Sequence, residues 1–225
     1  TGKMTSHLDS NYVPTAPEPQ DVRDFYIHDD GEAWPMFPIA GYEEDKYHDY
    51  ECRFGMDTYD LAASREGIDA KLGVFVHPDL PLEVWQLTLT NDSKVQRDLS
   101  WFCRVRVNVD SYPFYYFVPR VVCEGVKDGT DVLRFVNHDK GNKHKRQAFM
   151  ATSEPFDGFD MMGEVFDGHP TRAPIPEAVQ RGKCFNSLGK QPYAGLMAAV
   201  QFNAILKPGE SKTWSIAFGS CPIDD

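Results

Sequence analysis

Apolar positions recur at every second residue over long stretches of this chain. Residues 81–91 (PLEVWQLTLTN) place Trp85, Leu87 and Leu89 on one face and Gln86, Thr88 and Thr90 on the other. That alternation predicts a half-buried strand. Asn91-Asp92-Ser93-Lys94 then reads as a turn. Residues 98–109 (DLSWFCRVRVNV) predict a second long strand. Arg104 and Arg106 share one of its faces, because strand side chains alternate. Residues 212–219 (KTWSIAFG) turn Trp214, Ile216 and Phe218 inward and Thr213, Ser215 and Ala217 outward. The preceding AVQFNAILKPGE runs as a strand into a Pro208-Gly209 turn. Further strands are expected near 23–28, 47–53, 57–64, 67–76, 114–124, 131–137 and 146–153.

Long helical periods are absent. One short helix is expected near 176–182 (PEAVQRG), with Pro176 in its first turn and Gly182 closing it. Residues 1–21 are polar and carry Pro14, Pro17 and Pro19, which reads as an extended arm. Residues 22–225 then form one domain. About ten strands with one or two short helices between them imply an all-β fold, a large antiparallel sandwich and not a βαβ arrangement.

Composition narrows the function classes. Of 225 residues, 41% are hydrophobic and 25% charged, which suits a globular chain and not a disordered one. The 23 Lys and Arg against 34 Asp and Glu give a net charge of −11. A broad basic face for nucleic acid is therefore not expected. No run approaches the ~20 apolar residues of a spanning helix, so no membrane partner is expected. The opening TGKMTSHLDSNYVP lacks the apolar core of a signal peptide. Five widely spaced cysteines (Cys52, Cys103, Cys123, Cys184, Cys221), with no CxxC, fit neither a disulfide framework nor a zinc ribbon. Reduced thiols in a cytoplasmic protein are the expectation. Asn91-Asp92-Ser93 matches a glycosylation sequon and reads as a chance match in that setting.

The chain has no GxGxxG, P-loop, GxSxG or HExxH motif. His28-Asp29-Asp30, His48-Asp49 and His138-Asp139 lack compact ligand spacing and read as solvated turns; no metal or cofactor is expected. Residues 140–146 (KGNKHKR) read as a solvated hairpin, with an anion site as the alternative. Asp110 and Glu177 are the carboxylates considered for sugar chemistry, against ordinary turn and cap roles. Aromatic side chains are the richer signal. Tyr112, Phe114, Tyr115, Tyr116 and Phe117 crowd around Pro113. Alternation would bury about half of them and leave the rest to stack on sugar rings or a partner chain. Tyr112, Phe114, Tyr115 and Tyr116 are the candidate substrate-binding residues.

Several segments, in order, resemble a known family. Tyr26-Ile27-His28-Asp29-Asp30-Gly31-Glu32-Ala33-Trp34 is similar to the YIRDxxGxxWS segment of cellobiose and chitobiose phosphorylases, glycoside hydrolase family 94 (formerly glycosyltransferase family 36). Tyr50-Glu51-Cys52-Arg53-Phe54-Gly55 resembles its YxCRHGxGY, with Phe54 in place of the histidine. Residues 82–85, 90–93 and 97–100 follow its veiwxlxlxNxsxxxRxLs. Val165-Phe166-Asp167-Gly168 and Pro176-Glu177-Ala178-Val179 with Gly182 track FxGxxxxxxxPxAVxxG. Asn186-Ser187 and Leu206-Lys207-Pro208-Gly209-Glu210 fit the closing S…LkPGE. The match runs from about residue 22 to 219.

The resemblance implies the amino-terminal supersandwich of these enzymes, a galactose mutarotase-like fold. It implies a parent reaction in which inorganic phosphate, a co-substrate, attacks the anomeric carbon of a β-linked disaccharide or oligosaccharide with inversion. The acid and the phosphate site lie in a following (α/α)₆ barrel, so no catalytic residue is assigned to this chain. A homodimer is implied as well. The family's DxxNFQR segment reaches the neighbouring subunit's acceptor site; here it corresponds to Asp110-Ser111-Tyr112-Pro113-Phe114-Tyr115-Tyr116, where Phe114 matches and Tyr115-Tyr116 replace Gln-Arg. The expectation is thus a non-catalytic domain contributing to carbohydrate binding, substrate entrance and dimer interface. The alternatives are a free-standing carbohydrate-binding module, a mutarotase-type epimerase using His48 with Glu51 or His77 with Glu83, and a pure assembly domain.

Overall fold

The structure, a computed structural model, describes residues 23–36, 46–56, 58–107, 122–137, 146–168, 175–188, 190–192 and 196–223. Among them the strands are β1 (Asp24–Asp29), β2 (Glu32–Pro35), β3 (Tyr47–Phe54), β4 (Thr58–Arg65), β5 (Ile68–Val76), β6 (Leu82–Asn91) and β7 (Arg97–Arg106). They continue as β8 (Val122–Asp128), β9 (Val132–Asn137), β10 (Arg146–Thr152) and β11 (Gly158–Met162). Two short helices follow, α1 (Gly163–Asp167) and α2 (Glu177–Gln180), then β12 (Lys190–Pro192), β13 (Leu196–Leu206) and β14 (Ser211–Pro222).

The strands build two antiparallel sheets. The smaller has the order β11-β13-β7-β1-β2, and the larger β12-β8-β9-β10-β14-β6-β5-β4-β3. The all-β antiparallel sandwich expected from the alternation is therefore the fold. Its core lies between the sheets because the alternating apolar sets face each other. Trp85, Leu87, Leu89, Trp214, Ile216 and Phe218 come from the larger sheet; Trp101, Cys103, Val105 and Phe202 come from the smaller. Trp101 stacks on Phe202 at 4.9 Å within the small sheet and tilts against Trp214 of the large sheet at 5.5 Å.

The small sheet is covered on its outer side too. There Tyr26, Phe102, Met197 and Ala199 lie beneath Phe166, Ile175, Ala178, Val179 and Cys184. This second cluster explains why Trp101, Phe102 and Cys103 are all buried: β7 has apolar contact on both faces. It also explains why β11, GFDMM, was not legible from alternation, since its first four residues are all buried. The four-residue β2 and three-residue β12 were likewise too short to announce themselves. The helix expected at 176–182 is α2, with Pro176 as its N-cap rather than in its first turn. Gly182 closes it at φ +66°, a conformation that favours glycine, and its bare Cα lies against the His28 ring. Residues 114–121 of the expected strand 114–124, the arm 1–21 and the cluster 140–145 lie outside the described residues.

The connections differ between the two ends of the sandwich. One end carries tight turns. Asp30-Gly31 and Glu66-Gly67 join their hairpins with positive φ at both central residues, the conformation that suits the twist of paired strands. At the same end Asn91 sits at zero exposure, and its Nδ2 donates to the carbonyls of Val95 and Leu206. Its Oδ1 accepts from the Ser93 amide and hydroxyl. Arg97 grips the carboxylate of buried Asp29 through Nε and Nη2 and donates from Nη1 to the Glu66 carbonyl at 3.1 Å. Asp29 is thus a buried ion-pair partner, not the solvated turn residue expected; only its neighbour Asp30 is in the turn. The strands that flank residues 37–45, 108–121 and 138–145 end and restart at the other end.

Candidate functional site

The strands that flank the predicted aromatic segment reach the end opposite the tight turns. β7 finishes there at Arg106, and β8 restarts there at Val122. The same end holds the tip of the β3–β4 hairpin and the start of β6. Tyr112, Phe114, Tyr115 and Tyr116 lie outside the described residues, as does Asp110.

What the structure does place at this end is a polar pair set in an aromatic wall. Glu83, on the core-facing side of β6, is 4% exposed. Its Oε1 accepts from Arg23 Nε at 3.1 Å and from the Trp85 indole N–H. Arg23 enters just ahead of β1, and its guanidinium lies 5.9 Å from the Tyr59 ring and 6.0 Å from that of Trp85. Such cation–π contacts suit a guanidinium that is only partly hydrated. Burial raises the Glu83 carboxyl above its ordinary value of 4.5, against the lowering pull of Arg23 and the Trp85 hydrogen bond. The wall continues outward. Phe54 stacks on Tyr59 at 5.8 Å with planes 16° apart, and is itself 76% exposed. Further along the same face, past Cys52, Tyr50 is 48% exposed. On the same face of β3 Tyr47 and Cys52 pack against the core, whereas Tyr50 and Phe54 face solvent. Aromatic faces of this kind offer area for a sugar ring or an apolar partner surface.

The epimerase pairings are not assembled by this geometry. His77 Nδ1 accepts the amides of Asp79 and Leu80 at 3.1 and 3.0 Å, closing its own loop. Glu51 is held by Arg53 at 2.9 Å on the exposed side of β3. Glu177 opens α2. Among the described residues no group of three or more His, Cys, Asp and Glu side chains could hold a metal ion, and no helix is long and apolar enough to cross a membrane.

The residues that carried the family resemblance do structural work. Asn91, Arg97 and Asp29 tie the far end together, as described above. Asp160, at zero exposure, accepts from the amides of Phe185 and Ser187 and from the Ser187 hydroxyl at 2.6–2.9 Å, while Asn186 Oδ1 receives the Phe159 amide. Asp167 of α1 and Asp24 of β1 share the Arg104 guanidinium, which lies over the Tyr26 and Phe166 rings. Burial raises both carboxyls, against Arg104, and burial pushes the Tyr26 phenol up. The Arg23–Glu83 pair was missed from sequence. Its one available signal was Glu83 at a core-facing position of an alternating strand.

Two packed antiparallel sheets with a helical flap on the smaller define a supersandwich. The family model for the glycosyl hydrolase 94 supersandwich domain matches residues 12–224, and the chain belongs to that family. It is 28% identical over 204 residues to solabiose phosphorylase of Paenibacillus borealis, covering 88% of this chain and 26% of that protein. It is 26% identical over 208 residues to 3-O-beta-D-glucopyranosyl-beta-D-glucuronide phosphorylase of the same organism, covering 84% and 24%. The chain thus spans about a quarter of the length of these curated relatives. A bacterial glucoamylase solved with acarbose shares the fold, at TM-score 0.52 and 7% identity, over 88% of this chain and 26% of that one.

Proposed function

We propose that this supersandwich is the non-catalytic partner of an (α/α)₆ barrel in a cytoplasmic, inverting phosphorylase of β-linked glucosides. In that reading the barrel supplies the catalytic acid and binds inorganic phosphate as co-substrate, and this domain needs no cofactor. Its part is to line the substrate entrance and to meet the neighbouring subunit of a homodimer. The observation that supports it most is the convergence at one end of the sandwich. The exposed Phe54–Tyr59 stack, the Arg23–Glu83 pair and the two strand ends that bracket Tyr112, Phe114, Tyr115 and Tyr116 all meet there. A neutral glycan asks for aromatic area and a few fixed polar groups, and it tolerates the net charge of −11.

Calorimetric titration of the chain with β-linked gluco-oligosaccharides tests the carbohydrate part. Saturable binding is expected, and Tyr115→Ala weakens it by about tenfold, the order for one lost aromatic contact. Heat-silent titrations to millimolar ligand would remove the sugar site from this domain. The chain alone is expected to release no sugar 1-phosphate from β-glucosyl disaccharides and phosphate; release in proportion to added protein would place the chemistry here instead.

A further inference from the structure

Strand β3 is the terminal strand of the large sheet among the described residues, and it is the strand most exposed to solvent. Long exposed edges are templates for another strand, and proteins ordinarily blunt them. This one is interrupted by a bulge between Tyr47 and Asp49, but its remaining residues pair regularly with β4. The hairpin fixes which way its backbone points. Gly55 donates to the Thr58 carbonyl at 2.7 Å, so positions 55, 53 and 51 direct their N–H and C=O groups at β4. Positions 54, 52 and 50 direct theirs outward. Tyr50, Cys52 and Phe54 therefore combine an outward hydrogen-bonding backbone with side chains on the core-side face, where they stand opposite Ala63, Leu61 and Tyr59. Glu51 and Arg53 occupy the other face, with side chains 58% and 72% exposed.

We infer that this edge pairs with β3 of a second copy of the chain, antiparallel about a two-fold axis at Cys52. The register follows from the charges. An outward-pointing residue must meet an outward-pointing residue, so the two residue numbers of each pair sum to an even number. Centring the axis on Glu51 would set Glu51 against the partner's Glu51, and centring it on Arg53 would set two arginines together. Like charges directly opposite are unfavourable. The axis at Cys52 sets Glu51 against the partner's Arg53 and Arg53 against the partner's Glu51. On the other face it sets Tyr50 against the partner's Phe54, twice. A single shift thus satisfies both charge pairs and both aromatic pairs. The interface is isologous, as a two-fold contact must be, and it joins two nine-stranded sheets into one. It sets the exposed Tyr50 and Phe54 rings of the two copies side by side on one face of the joined sheet. The inference builds on the homodimer in the proposed function and specifies a surface for it.

Sedimentation equilibrium of the full 225-residue chain reads the association. The wild-type chain is expected to dimerise at about 10–100 μM, since a five-residue strand pairing is a small interface. Glu51→Arg and Arg53→Glu, each alone, place like charges opposite each other twice and weaken dimerisation by on the order of tenfold or more. An equimolar mixture of the two variants forms a heterodimer with every charge pair restored, at near wild-type affinity. Both side chains are exposed, and circular dichroism is the check that each variant keeps the fold. A monomeric wild type, a dimer indifferent to both variants, or a mixture no tighter than its components would each overturn the inference. Sugar titration of the monomeric variants is a separate readout, so a failed β3 pairing leaves the carbohydrate reading standing or falling by itself.

Discussion

The two ends of this sandwich are built to different rules. The end holding Asn91 and Arg97 has short turns, a buried asparagine and a buried aspartate held by hydrogen bonds, and a guanidinium that spans two strands and a turn. The end holding Arg23 and Glu83 has an aromatic wall and core-side residues, Tyr50 and Phe54, that face water. Fixed ends set the register of a sheet, while freely varied loops on a rigid scaffold carry recognition. The contrast teaches where to look for each property: stability in the tied end, interaction in the open one.

Substitutions can break that contrast, beginning with the largest effect. Arg97→Met leaves the Asp29 carboxylate, with 5% of its side chain exposed, without its cation. Removing one partner of a buried pair costs about 3–5 kcal/mol, so a lower urea midpoint is expected, and the double variant with Asp29→Asn should recover part of it. A midpoint unmoved by Arg97→Met would mean that this end is not tied by charge. Asn91→Ala strips partners from two carbonyls, an amide and a hydroxyl. A loss of about 2–4 kcal/mol is expected in the same assay, from buried hydrogen bonds left unmade. At the open end, Phe54→Ala should move stability by no more than about 0.5 kcal/mol, as exposed positions usually do. A large loss there would erase the distinction between the ends.

The smallest effect concerns pH and sharpens the comparison inside the open end. Burial raises the folded Glu83 carboxyl, so the folded state holds its proton more tightly than the unfolded chain does. Its contribution is present below the ordinary value of 4.5 and is lost as pH rises through the elevated one. Glu83→Gln, neutral throughout, should therefore gain on the wild type as pH rises from 4 toward 7 (about one carboxylate's worth of slope). Urea midpoints at several pH values give the sign. A difference that moves toward the wild type instead would show that Arg23 outweighs burial.

Alternation was enough to turn Trp85, Leu87 and Leu89, and likewise Trp214, Ile216 and Phe218, toward the core, because a strand with one wet face must segregate its side chains with period two. The ordered segments from Tyr26 to Glu210 were enough to indicate the supersandwich family, now matched over residues 12–224. Sequence could not show that Asp29 is buried against Arg97, sixty-eight positions away, or that Asp24 and Asp167 meet at one arginine. Strand pairing joins Asp24 to Arg104 and brings Asp29 to Arg97, and the helical flap carries in Asp167; both bring distant positions together without any local signature. Nor could it show that β7 and β11 are buried on two faces, since the flap over the small sheet is supplied by α1, α2 and the segment after them. Local pattern decides which way a side chain points along its own strand. Whether that direction leads to core, flap or solvent was decided only by the extent of the opposing layer, which reaches Tyr47 at the start of β3 through Trp34 but leaves Tyr50 and Phe54 in the open.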